Sequence, residues 1–96
     1  MKSLQEVQEI ISENYTNLRR TYKIKRLGIF GPYARGEQDE NSEVDILVEL
    51  DKAIGLEFVD LEEELEKLLG ERVHLVSKSG VQRKFLRTIR ESIIYI

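Results

Sequence analysis

One short stretch, residues 31–45, constrains the fold more than any other part of the chain. It reads GPYARGEQDENSEVD and lies between two apolar segments, residues 27–30 upstream and residues 46–48 downstream. Its opening Gly-Pro pair favours a turn into a short helix, because proline is tolerated in a first helical turn, where its missing N–H would have no partner. Gly36 then ends this turn. The stretch therefore predicts two strands joined by a helical turn and a polar loop.

Hydrophobic periodicity predicts helices and strands along the rest of the chain. Ser3 and Glu6 form a predicted capping box at the start of the first helix. The predicted helices are residues 3–18, residues 56–69 and a last helix that opens at Ser79 or Gly80, with Phe85, Leu86, Ile89 and Ile93 as its apolar positions. The predicted strands are residues 22–30, 44–50 and 72–76, with residues 93–96 as a candidate edge strand and residues 51–55 as a connection.

This order of elements predicts the fold class. A helix lies between the second and third strands, which indicates a parallel crossover, whereas the short connection between the first two strands favours an antiparallel pair. The prediction is an α+β fold, a small mixed sheet with helices packed mainly on one face. At 96 residues, the chain is predicted to form a single domain over residues 1–96.

Composition narrows the range of partners and locations. The net charge is −3, which is not the strongly basic balance of a general nucleic-acid binder, so nucleic acid is an unlikely partner. The chain has no cysteine, which excludes disulfides and thiolate metal sites and favours an intracellular, cytoplasmic location. Its first residues, MKSLQEVQEI, contain no long apolar run, so neither a signal peptide nor a membrane span is predicted there.

Two carboxylates, Glu43 and Asp45, stand at i and i+2 at the start of the second predicted strand, where they would share one face. Oxygen ligands of this kind suit Mg²⁺ or Mn²⁺. Backbone N–H groups at the preceding turn favour phosphate, and Gly31 would let the chain approach a ligand closely. The stretch therefore suggests a site for a nucleoside triphosphate with its metal. The alternative is a solvated acidic boundary between a loop and a strand.

The segments Gly31 to Gly36 and Ser42 to Asp45 resemble the signature of minimal nucleotidyltransferases, members of the DNA polymerase beta-like superfamily. The resemblance covers nearly the whole chain and implies the palm fold of that superfamily. It also implies a set of site residues. The implied nucleotide-binding residues are Gly31, Pro32, Tyr33, Arg35, Gly36 and Ser42, and the implied catalytic residues are Glu43, Asp45 and His74, with Glu43 and Asp45 as metal ligands.

Members of this family transfer a nucleoside monophosphate from a nucleoside triphosphate to an acceptor hydroxyl with two metal ions. The resemblance therefore implies ATP or another nucleoside triphosphate as substrate, AMP as the transferred group, and Mg²⁺ or Mn²⁺ as cofactor. Minimal members often pair with a small helical protein of the HEPN type in toxin–antitoxin modules, where the nucleotidyltransferase is the antitoxin. A HEPN-type partner is thus expected here as well.

Three positions depart from the family pattern. Pro32 replaces a serine whose hydroxyl would contact phosphate, and proline offers neither O–H nor N–H. Glu43 replaces an aspartate and reaches farther, which disturbs the tight octahedral geometry that Mg²⁺ requires. His74 stands where a third carboxylate is expected; it suits Mn²⁺ or Zn²⁺ better than Mg²⁺, or could serve as a general base. These changes predict a weakened active site.

The sequence leaves alternatives to the enzyme open. The three departures favour a catalytically degenerate module that works by binding a helical protein. The stripe of Arg83, Arg87 and Arg90 on the last predicted helix could instead contact triphosphate, RNA or an acidic partner, or simply be a solvated face. Residues 93–96 are apolar enough for a sheet edge or a dimer interface. For His74 the plainer interpretation is a strand histidine, for Arg35 a support of the acidic loop, and for Ser42 a local turn bond.

Overall fold

The computed structural model describes residues 1–52 and 55–96, so the middle of the predicted connection at residues 51–55 lies outside the described residues. The elements follow the predicted order. In chain order they are α1 (Leu4–Tyr22), β1 (Ile24–Phe30), α2 (Gly31–Arg35), β2 (Val44–Leu50), α3 (Glu57–Leu69), β3 (Val73–Ser77), a 3₁₀ turn (Lys78–Gly80), α4 (Arg83–Arg90) and β4 (Ile94–Tyr95).

The strands form one mixed sheet in the order β3-β2-β1-β4. β1 and β2 are antiparallel, and β2 and β3 are parallel, as their connections predicted. β4 pairs antiparallel with β1, and the Ile96 N–H donates to the Leu27 carbonyl at 2.9 Å. The predicted edge strand near residues 93–96 is therefore confirmed, and the α+β fold class with it.

The two faces of the sheet carry very unequal apolar clusters. α1 and α3 pack on one face, where the main core includes Val7, Leu61 and Ile46. α4 packs on the opposite face over a small cluster of Phe30, Leu47 and Ile89. Successive side chains of a strand point to opposite faces, so Asp45 shares the face of Leu47 and α4. The helices thus lie mainly on one face, and the candidate site lies on the other.

Two helix boundaries differ from the predictions for local reasons. α1 runs to Tyr22, not 18, and ends where Lys23 adopts the left-handed conformation (φ 57°) and donates its N–H to the Arg19 carbonyl. α4 does not open at Ser79 or Gly80, because these residues belong to the 3₁₀ turn and the following Val81 is extended. Ile93, predicted as a position of this helix, lies beyond its end.

No helix formed by the described residues combines the length and the apolar character that crossing a membrane requires.

Candidate functional site

The turn between β1 and α2 brings the backbone close to an acidic side chain. Gly31 adopts φ +70°, a conformation that favours glycine. A Cβ atom added there would overlap the carboxylate of Asp45, whose Cγ atom would be only 3.1 Å away. Because Gly31 follows the last residue of β1 and Asp45 is the second residue of β2, the antiparallel pairing itself produces this contact. The glycine is therefore required both by backbone conformation and by space.

The neighbouring strand supplies a second polar group. Asp45 and His74 are register partners in the parallel β2–β3 pair, so their side chains stand side by side. His74 Nδ1 lies 2.9 Å from Asp45 Oδ1, with 18% of the aspartate side chain and 49% of the histidine side chain exposed. An ionised carboxylate only accepts hydrogen bonds, so a neutral His74 carries its proton on Nδ1 and presents an unprotonated Nε2.

These residues line one wall of a cleft of about 240 Å³ on the α4 side of the sheet. The polar wall consists of Gly31, Arg35, Asp45 and His74. The cleft is also lined by Phe30, which pairs with Asp45 across β1 and β2, and by residues on or just after α4, namely Phe85, Thr88, Ile89 and Ser92. The cleft thus has a charged end from the predicted motif and a largely apolar end from the last helix.

The donor side chains fit a metal that arrives with phosphate. Glu43 is exposed and lies directly before β2, one residue from the strand that carries Asp45. Within residues 1–52 and 55–96, no group of three or more histidine, cysteine or acidic side chains is clustered tightly enough to hold a metal by itself. Mg²⁺ in phosphate sites is commonly held by one or two carboxylates together with substrate phosphates and water. Asp45 lines the cleft, whereas Glu43 is not among the residues that line it, so the joint binding of a metal by these two carboxylates stays a prediction.

Tyr33, predicted to bind nucleotide, places its side chain in the main core. It is 1% exposed, and its buried hydroxyl has no hydrogen-bond partner among residues 1–52 and 55–96. Burial raises the pKa of Tyr33, and the negative charge of Glu71 raises it further. Only its backbone is therefore available to a ligand in the cleft.

The other predicted residues of the motif lie around α2 and the acidic loop. Arg35 is exposed at the cleft wall, and its Nε lies 2.7 Å from Glu37 Oε1. Ser42 Oγ accepts the Asp39 N–H at 3.0 Å, which is the local turn bond expected from the sequence. Gly36 (φ +71°) ends α2, and Pro32 stands in the first turn of that helix. Of the side chains predicted to bind nucleotide, Arg35 is thus the one that lines the cleft.

The sequence reasoning missed the apolar wall. Phe85 was predicted only as an apolar position of the last helix, whereas the structure leaves it 48% exposed and lining the cleft. In the structure α4 packs over Phe30 and Leu47, on the face of the sheet that carries Asp45, and the sequence of the helix itself gave no signal for that face.

A larger groove of about 750 Å³ contains none of the predicted site residues among those lining it. Its wall includes Glu49 and Lys78, whose side chains bond at 3.2 Å. The hydrogen bond from Lys78 lowers the pKa of Glu49. The larger size of this groove does not make it the candidate site, because the motif residues line the smaller cleft.

The fold and the cleft define a nucleotidyltransferase domain, and comparison with known proteins agrees. The model of the family described as "Nucleotidyltransferase domain" matches residues 4–96, and the chain belongs to this family. The protein adenylyltransferase MntA of Thermococcus cleftensis is 39% identical over 97 residues, covering 100% of this chain and 98% of the relative.

Solved structures show the same architecture. A structure assigned as a minimal nucleotidyltransferase superposes with a TM-score of 0.82 at 30% identity, covering 97% of this chain and 95% of the other. The complex of tri-AMPylated Shewanella oneidensis HEPN toxin with MNT antitoxin gives a TM-score of 0.69 at 17% identity, covering 93% of this chain and 70% of the matched one. At that identity, the likeness shows the fold alone.

Proposed function

We propose that this chain is a protein adenylyltransferase that transfers AMP from ATP to a hydroxyl group of a HEPN-type helical protein, and thereby acts as the antitoxin of that partner. The observation that carries the proposal is the Asp45 carboxylate held against Gly31 at the head of α2, inside a cleft. Support comes from the full-length similarity to an adenylyltransferase. Because ATP is the substrate, we place the reaction in the cytoplasm.

The chemistry is a displacement at the α-phosphorus of ATP. The acceptor oxygen forms a bond to that phosphorus, the bond to the bridging oxygen breaks, and pyrophosphate leaves. The acceptor hydroxyl loses its proton in the process. The unprotonated Nε2 of His74 would accept this proton, while Asp45 keeps the imidazole ring oriented through its contact with Nδ1. Arg35, at the cleft wall, adds positive charge for the phosphates.

Mg²⁺ or Mn²⁺ is the proposed cofactor, held by Asp45 and Glu43. When bound, such an ion offsets the negative charge that develops on the phosphate oxygens. The side chains of this chain then have separate tasks: the two carboxylates fix the position of the triphosphate, and the imidazole receives the proton.

The test uses α-labelled ATP, the purified chain and a candidate HEPN-type partner, with Mg²⁺ or Mn²⁺. We expect label on the partner and a mass increase of one AMP. Asp45→Asn should reduce transfer by at least about 100-fold, because several kcal/mol of charge stabilisation are lost. Asp51→Asn removes an exposed carboxylate just after β2 and serves as the matched control. Absence of ATP binding at millimolar concentration with either metal would refute the proposal.

A second candidate function is that of a degenerate module that binds the helical partner without modifying it. It is favoured by His74 in the position of the third family carboxylate and by the lack of a three-ligand cluster in the described part of the chain. The same experiment separates the two functions. Stable binding of the partner, with no label transferred by the wild type and no change in Asp45→Asn, would favour the binding module.

A further inference from the structure

The apolar end of the cleft is dominated by one exposed aromatic ring. Phe85, in the first turn of α4, is 48% exposed although it is large and apolar. Its ring stands edge-on to that of Phe30, with centroids 6.5 Å apart and an interplanar angle of 85°. Phe30 is itself 6% exposed and belongs to the cluster under α4. The Phe85 ring is thus supported on one side and open to the cleft.

The two ends of the cleft match the two ends of a nucleotide. The charged end contains Asp45, His74 and Arg35, which suit phosphate and metal. A nucleoside triphosphate bound there must place its base elsewhere, and Phe85 lines the same small cleft from α4. Thr88 and Ser92 border that wall and add hydroxyl groups near the ring.

The rest of α4 faces another way. Arg83, Arg87 and Arg90 recur at helical spacing on the side of the helix opposite Phe85, and all three are exposed. The arginine stripe therefore points to solvent and not at the triphosphate. The residues on or just after α4 thus contribute to the cleft one aromatic ring and two small side chains that carry hydroxyl groups.

The geometry points to Phe85 as the residue on which the base of the bound nucleoside triphosphate stacks. This inference rests on the proposed function and specifies which residue holds the base. Aromatic rings stack on any nucleobase, because every base has a π face, and larger purine rings stack over more area. Phe85 thus favours ATP or GTP over pyrimidine triphosphates and makes no contact with the phosphates.

The test measures binding by calorimetry with two probes, ATP and inorganic tripolyphosphate, each with Mn²⁺. Phe85→Ala should weaken ATP binding by roughly ten-fold or more, the usual effect of removing a stacked ring, and leave tripolyphosphate binding unchanged. Tyr95→Ala is the matched control, since Tyr95 is 38% exposed on β4 and does not line the cleft. Phe85→Leu keeps an apolar side chain against Phe30 and should show a similar selective loss, which separates stacking from folding.

Phe85→Trp provides an independent readout, because the chain contains no tryptophan. The single indole should retain ATP binding and change its fluorescence with ATP but not with tripolyphosphate. Equal ATP affinity in wild type and Phe85→Ala, or equal loss of both probes, would overturn the assignment of Phe85 alone. Failure of the wild type to bind ATP at all would overturn the assignment together with the proposed function.

Discussion

His74 and Asp45 stand side by side on the parallel strands β3 and β2, with Nδ1 and Oδ1 2.9 Å apart. A neutral His74 donates its Nδ1–H to the Asp45 carboxylate. Without this donor, the carboxylate would contact only water or a bound cation. In this chain the imidazole takes the place that a neighbouring carboxylate is expected to have in the family. The contact with His74 therefore gives the Asp45 carboxylate a polar partner within the protein itself.

This relationship predicts the effect of His74→Asp. Two adjacent carboxylates repel, so the metal-free variant should lose on the order of 1 kcal/mol of unfolding free energy. Added Mg²⁺ should restore that loss, because a ligand that binds only the folded state stabilises it. Thermal unfolding with and without Mg²⁺ measures both effects. His74→Asn removes the ring without adding charge and should show a smaller Mg²⁺-dependent gain than His74→Asp; an equal gain in both variants would contradict the argument.

Two glycines with nearly the same backbone conformation form a matched pair. Gly31 and Gly36 have φ of +70° and +71°, but an added Cβ would overlap Asp45 at Gly31 and would have no atom within 4 Å at Gly36. Gly36→Ala should therefore lower the free energy of unfolding by only about 1 kcal/mol, which is the cost of placing a side chain on a residue in the left-handed conformation. Gly31→Ala should cost clearly more and also displace the Asp45 carboxylate. Urea unfolding and ATP binding test this, and equal destabilisation by both changes would be evidence against the close contact.

The buried hydroxyl of Tyr33 predicts that a substitution in the core, Tyr33→Phe, does not destabilise the protein. Tyr33→Phe removes a polar group that lacks a partner and leaves the ring in place. Since an unsatisfied buried group costs about 1–3 kcal/mol, the variant should be at least as stable as the wild type. A gain of 1 kcal/mol would raise the Tm by roughly 4–8 °C in a domain of this size. ATP affinity should not change, and a lower Tm would indicate that the hydroxyl has a partner in solution.

Tyr22 predicts how stability changes at high pH. Burial, followed by a hydrogen bond to Glu64, raises the pKa of Tyr22 from 10.0 to about 12. The unfolded chain therefore loses this proton near pH 10, whereas the folded protein keeps it until about pH 12, so stability falls as pH rises through this window. Urea unfolding at pH 9 and 11.5 should show a smaller decrease for Tyr22→Phe than for the wild type.

The sheet and the main core could be predicted from the sequence because their signals are local. Val44 to Leu50 alternates in hydrophobicity as a strand does, and the structure places β2 on those residues. The helix predicted over residues 56–69 ends at Leu69, where Gly70 follows in the left-handed conformation. The end of α1 was missed because Lys23, a non-glycine residue, takes the left-handed conformation that normally marks glycine.

The site was only partly predictable for a different reason. Gly31 and Asp45 lie in one motif, so their proximity follows from the turn and the strand pairing. The position of Phe85 depends on where α4 packs after the 3₁₀ turn, which no local pattern specifies. Tyr33 was placed in the site because it lies inside the motif, but the helical turn of α2 directs this side chain into the main core and leaves Arg35 exposed.

The unequal clusters on the two faces of the sheet have a consequence for motion. α4 is eight residues long, has no side-chain cap at its N-terminus, and begins with basic residues that oppose the helix dipole. Its order depends on the three buried residues Phe30, Leu47 and Ile89. In native-state hydrogen exchange, amides of α4 should therefore open at lower free energy than those of α3. We therefore expect a ligand to enter the cleft through fluctuations of this one short helix, with the strands of the sheet still paired.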